Sequence, residues 1–288
     1  MPALPPLMPA DLLAAALAEP GVLVLDATTR LTVHADGQPY TVTPDVAGYR
    51  AEHVPGAVFA DVPNALSDPG ARFPFALPTP ERFAAAAGGL GIGDDTHVVA
   101  YDTATGAWAT RVWWLLRVFG HDAVSVLDGG LGAWKAAGQP VESGAVESTP
   151  ATFTPRFRPE LVADKAEVCR ISEAGGVLVN ALEPATFRGD AEKNPYPRRG
   201  RIPGSTNLPS RTLLDPATGR LLDRPALRAA LEAAGVRSGN RNVTYCGGGI
   251  AATLPAFAAY VVDGTEVAVY DGSLTEWTAD PALPVEVG

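Results

Sequence analysis

Cysteine is almost missing from this chain: two residues, Cys169 and Cys246, in 288. Two thiols make no disulfide framework, so a reducing compartment, the cytoplasm, is expected. Positive charge is also in deficit. The 22 Lys and Arg against 32 Asp and Glu leave a net charge of −10, which argues against a nucleic-acid partner, since that would need a basic face. No apolar run is long enough to span a bilayer, so no membrane association is expected. The stretch from Met1 to Leu17 is apolar but holds no Lys or Arg and is interrupted by Asp11. It fits a short helix capped near Asp11 better than a secretory signal. Histidine is scarce: His34, His53, His97 and His121 all lie in the first half. No His, Cys, Asp or Glu spacing suits a metal, and neither metal nor cofactor is expected.

What is present is an ordinary apolar fraction, 47%, and a chain long enough for two domains. The chain repeats itself. Val22–Thr28 matches Val177–Leu182, and His53-Val-Pro-Gly-Ala-Val58 matches Arg201-Ile-Pro-Gly-Ser-Thr206. Val98–Asp102 matches Asn242–Cys246, and Val124–Trp134 matches Val267–Trp277. The offsets are 154, 148, 144 and 143 residues, in the same order along both halves. Two copies of one domain follow. Strands such as Val177–Val179, Val243–Tyr245 and Val267–Tyr270 are short and apolar on both faces, as in a parallel sheet covered on each side. Helices are expected over Pro80–Gly89, Ala107–Phe119, Leu131–Gly138, Leu161–Ala174, Arg224–Gly235 and Ile250–Val262. The fold class is therefore α/β: residues 1–140 form one domain, 141–159 a linker rich in Pro, Ser, Thr and Glu, and 160–288 the second domain.

Cys246 carries the chemistry. It ends a short strand and is followed by Gly247, Gly248, Gly249, Ile250 and Ala251. Glycines let successive backbone N–H groups turn toward one point, and a helix N-terminus adds partial positive charge there. Such a nest stabilises an anion, and the anion on offer is the Cys246 thiolate. The matching position in the first copy is Asp102, whose loop has no triple glycine, so the first domain reads as non-catalytic. Cys169, without a glycine near it, reads as packing. His53, matched by Arg201, reads as structural.

Taken together these blocks, with Arg111-Val-Trp-Trp114 and Tyr270-Asp-Gly-Ser-Leu-Thr-Glu-Trp277, resemble the tandem rhodanese-type sulfurtransferases, over nearly the whole chain. The resemblance implies two rhodanese-like domains, each a parallel central sheet with helices on both faces, the second catalytic. It implies that Cys246 takes the outer sulfur of a small anionic donor, mercaptopyruvate-like or thiosulfate-like, and becomes a persulfide. The sulfur then passes to a thiol or cyanide in a second half-reaction. The alternative on the same fold is a sulfur carrier that does not turn over.

The pattern also departs from the family. The loop has no basic residue of the kind thiosulfate-preferring members carry. Gly248 stands where mercaptopyruvate-preferring members have serine, and the histidine and aspartate that assist it in some of them fall on Phe75 and Pro63. A hydroxyl residue of the loop is Ala251. The strand end Asp-Ala-Arg is Asn180-Ala181-Leu182, and the substrate-binding arginine falls on Thr186. An anionic donor still requires a cation. Among Arg188, Lys193, Arg198, Arg199 and Arg201, the expected donor-binding residues are Arg188, Arg198 and Arg199. A cysteine phosphatase would place an arginine six residues past the thiol, where this chain has Ala252.

Overall fold

The computed structural model describes residues 4–34 and 40–288; Met1 to Ala3, the start of the apolar N-terminal stretch, lie outside them. The first half runs β1 (Leu7–Met8), α1 (Ala10–Ala16), β2 (Val22–Asp26), an antiparallel pair β3 (Thr29–Thr32) and β4 (Thr41–Pro44), α2 (Val46–Ala51), β5 (Val58–Phe59), α3 (Pro80–Gly89), β6 (His97–Tyr101), α4 (Ala107–Val118), β7 (Val124–Leu127) and α5 (Gly130–Ala136). The second half runs β8 (Val162–Ala163), α6 (Lys165–Ala174), β9 (Val177–Asn180), α7 (Pro184–Arg188), β10 (Thr206–Asn207), α8 (Arg224–Ala233), β11 (Asn242–Tyr245), α9 (Thr253–Asp263), β12 (Ala268–Tyr270) and α10 (Ser273–Ala279).

Each half folds around a five-stranded sheet whose strand pairs are all parallel. The orders are β1-β7-β6-β2-β5 and β8-β12-β11-β9-β10, the same path twice. The repeat reaches individual hydrogen bonds. The Tyr101 hydroxyl accepts from Val54 N, and the Tyr245 hydroxyl accepts from Ile202 N. Trp134 Nε1 donates to the Pro140 carbonyl and Trp277 Nε1 to the Pro284 carbonyl, both at 2.7 Å. His53 and Arg201 each form an isolated antiparallel bridge, to Glu142 and Glu286. Strands buried on both faces favour apolar residues at every position: Val98 to Tyr101 are so throughout, and the polar exception in Val243 to Tyr245, Thr244, donates its hydroxyl to the Ala252 carbonyl at 2.9 Å.

Some element boundaries differ from the sequence expectation. Leu161–Ala174 is not one helix: Leu161 ends a 3₁₀ turn, Val162–Ala163 forms the sheet edge, and α6 begins at Lys165. The Asp164 carboxylate accepts from Glu167 N at 2.7 Å and fixes that start. α1 is preceded by Pro9 rather than capped by a side chain, and Asp11 lies in its first turn. α9 begins at Thr253, so Ile250 to Ala252 belong to the loop.

The halves share a core. Every residue of α4 is buried, because it lies between its own sheet and α9. Thr110 and Thr253 hydroxyls meet at 2.8 Å, Trp113 packs edge-on against Phe257, and Arg117 lies 4.1 Å from the Tyr260 ring. The segment 141–159 lies along the first half: Phe153 is buried against Phe83, and the amides of Ala151, Arg156 and Arg158 bond to Gly88, Phe119 and Val118 carbonyls.

Candidate active site

Cys246 leaves the carboxyl end of the central strand β11, where ligand crevices of open parallel sheets form. It is only 2% exposed. Its loop is held from below by Ser273, whose hydroxyl accepts from the amides of Cys246 (3.0 Å) and Gly249 (3.2 Å) and donates to the Tyr270 carbonyl. Ser273 itself takes φ +49°, an unusual conformation for a residue with a Cβ. Carbonyls of Cys246 and Gly247 accept from Leu274 N and Thr275 N. The loop amides of Gly247, Gly248, Ile250 and Ala251 donate to no acceptor among the described residues.

Two glycines are required on different grounds. At Gly247 a Cβ would lie 2.1 Å from the Tyr196 hydroxyl, so no side chain fits unless that ring moves. Gly249 has φ +76°, and a Cβ there would press on Asp271 and Arg111. Gly249 turns its carbonyl to Arg111, which reaches in from the first half. Arg111 is fully buried. Its Nη1 donates to the Gly249 carbonyl and, at 2.6 Å, to the Asp271 carboxylate, while Nη2 donates to the Phe75 carbonyl. Asp271 also accepts from Leu77 N. The hydrogen bonds of its two Nη atoms hold this buried ion pair, and it ties the Cys246 loop to the first half.

Above the loop is a cleft of about 700 Å³ between the halves. Cys246, Gly247, Gly248, Ile250 and Ala251 line it; Gly249 does not. Tyr196, Leu182 and Thr186 close one side, and Tyr40, Phe75 and Trp108 of the first half the other. Burial pushes the Tyr40 phenol up to about 12, with the neighbouring Cys246 sulfur adding to the effect. Burial likewise pushes the Tyr196 phenol well above its ordinary value. Both are protonated O–H donors at neutral pH. Among the described residues no group of three or more His, Cys, Asp or Glu is arranged to hold a metal.

The expected donor-binding arginines do not line this cleft. Arg198 donates to the carbonyls of Thr278, Leu283, Trp277 and Asp280, clamping the C-terminal segment. Arg199 bonds to the Gly189 and Ala191 carbonyls, and Arg188 pairs with Asp190. The Pro195–Pro197 segment presents Pro195 and Tyr196, not Arg198 or Arg199, to the cleft. The cations that line the cleft are Arg30, Lys193 and Arg211. Arg30 pairs with Asp45, and Arg211 lies 3.9 Å from Glu183. Arg30 lies in β3 and Tyr40 directly precedes β4, neither with a local sequence link to Cys246. Cys169 is half-buried on α6 against the second core, and burial pushes its thiol up. His53 is fully buried, with Nδ1 on the Tyr49 carbonyl.

The rhodanese-like domain family matches residues 9–137 and 167–280. This chain belongs to the rhodanese family of sulfurtransferases. It is 38% identical over 240 residues to the 3-mercaptopyruvate sulfurtransferase of Escherichia coli K12, covering 83% of this chain and 84% of that one. It is 35% identical over 288 residues to a probable 3-mercaptopyruvate sulfurtransferase of Pseudomonas aeruginosa, covering 98% of each. A third relative is the mitochondrial thiosulfate/3-mercaptopyruvate sulfurtransferase 1 of Arabidopsis thaliana, 34% identical over 307 residues, with 98% of this chain and 78% of that one covered. Among solved structures, the 3-mercaptopyruvate sulfotransferase SseA of Escherichia coli superposes with a TM-score of 0.79 at 34% identity, over 93% of this chain and 98% of that one. An ergothioneine biosynthesis enzyme from Chlorobium limicola has a TM-score of 0.85 at 24% identity, over 98% of this chain and 70% of that one, a likeness of fold. The cleft of this family member is lined by the Cys246 loop of its second half and by a wall from its first.

Proposed function

We propose that Cys246 is the sulfur-carrying nucleophile, and that it takes sulfur from 3-mercaptopyruvate in preference to thiosulfate. One observation carries the reading. In the first half, the Asp102 carboxylate accepts hydrogen bonds from the amides of Ala104, Gly106, Trp108 and Ala109, at 2.8 to 3.1 Å. The strand-loop-helix turn of this fold is thus an anion nest, and there it is filled by its own carboxylate. In the second half the shorter Cys246 side chain takes the same position, and the equivalent amides of Gly248 and Ile250 have no acceptor among the described residues. A nest of that kind supports a thiolate, and afterwards a persulfide anion.

In the first half-reaction the thiolate attacks the outer sulfur and an S–S bond forms. The bond from that sulfur to carbon breaks, and its electron pair leaves with pyruvate as the enolate. The sulfur's proton goes to the enolate carbon, giving pyruvate and a Cys246 persulfide anion. A thiol or cyanide acceptor then takes the outer sulfur and restores the thiolate. A neutral loop suits a monoanionic donor more than the dianion thiosulfate, and the relatives named for 3-mercaptopyruvate support the same choice. Arg30, Lys193 and Arg211 at the cleft are the cations for the carboxylate.

The test is intact mass after incubation with each donor, followed by thiocyanate release on adding cyanide. One added sulfur, lost on cyanide addition and absent in Cys246→Ser, is expected. Uptake of sulfur without turnover would mark a carrier instead, and activity that survives Cys246→Ser would refute the reading.

A further inference from the structure

The Tyr40 hydroxyl is buried and has no hydrogen-bond partner among the described residues. It faces the cleft beside the Cys246 loop: a Cβ on Gly248 would lie 3.1 Å from the phenol oxygen. Its ring stacks on Phe75, at 6.2 Å between centroids and 15° between planes, and Phe75 in turn packs edge-on against Trp108. Thr275, a polar neighbour, donates its own proton to the Gly247 carbonyl at 2.7 Å. A buried hydroxyl left without an acceptor is costly, and at a cleft it marks a place where a ligand atom completes the bond.

We infer that Tyr40, reaching across from the first half, is a catalytic hydrogen-bond donor to the carbonyl oxygen of an α-keto sulfur donor as that oxygen becomes an enolate. The inference rests on the function proposed above. The need for such a donor comes from the loop itself. Between Cys246 and Ala252 there is no hydroxyl, amide or cationic side chain, so beyond backbone amides the loop offers nothing to a developing oxyanion. The phenol keeps its proton, because its pKa near 12 lies far above working pH. It donates a hydrogen bond while the C–S bond breaks and transfers no proton. The aromatic stack on Phe75 holds the ring, and the polar group beside the hydroxyl, Thr275, makes no geometric hydrogen bond with it and is engaged with the Gly247 carbonyl, so the O–H is available to substrate. Phe75 has φ +62°, a backbone conformation rare for an aromatic residue, and its carbonyl is held by Arg111. The same arginine that anchors Gly249 therefore sets the platform for Tyr40.

The test is Tyr40→Phe, which keeps the ring and removes the oxygen. With 3-mercaptopyruvate, kcat should fall about 10²-fold, the scale for one oxyanion donor, with KM little changed. With thiosulfate or benzenethiosulfonate the leaving group is already a stable oxyanion, and the rate should change less than about threefold. General damage to the cleft would lower both donors together and would overturn the inference, as would an unchanged mercaptopyruvate rate. Tyr196→Phe is the comparison: if it reproduces the donor-selective loss while Tyr40→Phe does not, the role is not Tyr40's. The double variant Tyr40→Phe/Gly248→Ser places a hydroxyl on the loop where the phenol oxygen was, and should recover at least about tenfold. No recovery returns Tyr40 to packing. A wild-type protein that cannot use 3-mercaptopyruvate at all would instead remove the functional reading beneath.

Discussion

Asp102 and Cys246 end equivalent strands, each one residue after a tyrosine whose hydroxyl accepts from the amide of a matching Val54 or Ile202. The scaffold beneath them is the same, and the difference lies in one side chain and its loop. A carboxylate is long enough to reach the amides two, four, six and seven residues on, so the first turn closes on itself. A thiol is shorter, and the glycine loop runs seven residues to α9 at Thr253 against five from Asp102 to α4 at Ala107, so the second turn keeps amides open. The same nest is a structural cap in one half and, in the proposed function, the sulfur-carrying centre in the other.

That comparison can be broken at several points. The largest effect is on turnover: Cys246→Ser should lower sulfur transfer by at least about 10³-fold and abolish the added sulfur in intact mass. Asp102→Ala should leave turnover in place but strip four amides of their acceptor, costing about 2–3 kcal/mol in urea unfolding. If it abolished sulfur transfer with the fold intact, the first nest would be more than a cap. Cys246→Asp copies the first half's solution into the second. It should be inactive yet gain about 1 kcal/mol of stability as the carboxylate takes the open amides; a loss of stability would mean that the two nests differ in shape. The smallest effect concerns pH. Burial holds His97 and His121, both in the first half, below their ordinary range and neutral. The unfolded chain takes up those protons near pH ~6.5, so it binds more protons than the fold in that range. Their effect on stability is nil above that pH and turns unfavourable as pH falls through it. Urea midpoints at pH 7.5 and 5.5 should show the loss reduced in a His97→Gln/His121→Gln variant.

The legibility of the molecule follows from locality. The repeat, the parallel sheets and the strand-Cys-glycine-helix turn were legible because each is set within a few neighbouring residues. Arg188, Arg198 and Arg199, expected at the donor, do not line the cleft, because nearness along the chain to Ile202-Pro-Gly says nothing about direction. Arg198 is drawn to four carbonyls between Trp277 and Leu283, some eighty residues on, where its planar donors find more acceptors than the cleft offers. Ser273 was passed over inside the repeated Asp-Gly-Ser-Leu block, although its hydroxyl holds the start and the middle of the cysteine loop, at Cys246 and Gly249. Its role depends on a positive φ that no pattern of residue types reveals.

Sequence alone determined the two-fold repeat, the family, and the position of the one thiol that follows a strand and precedes a glycine nest, since backbone freedom and apolar patterning are encoded locally. Only the tertiary structure decided which groups surround that thiol. Arg111, Phe75, Tyr40 and Arg30 come from the other half of the chain, more than a hundred residues away, and they meet Cys246 because α4 and α9 bury their apolar faces against each other. That burial fixes how the two halves face one another, and with it the contents of the cleft.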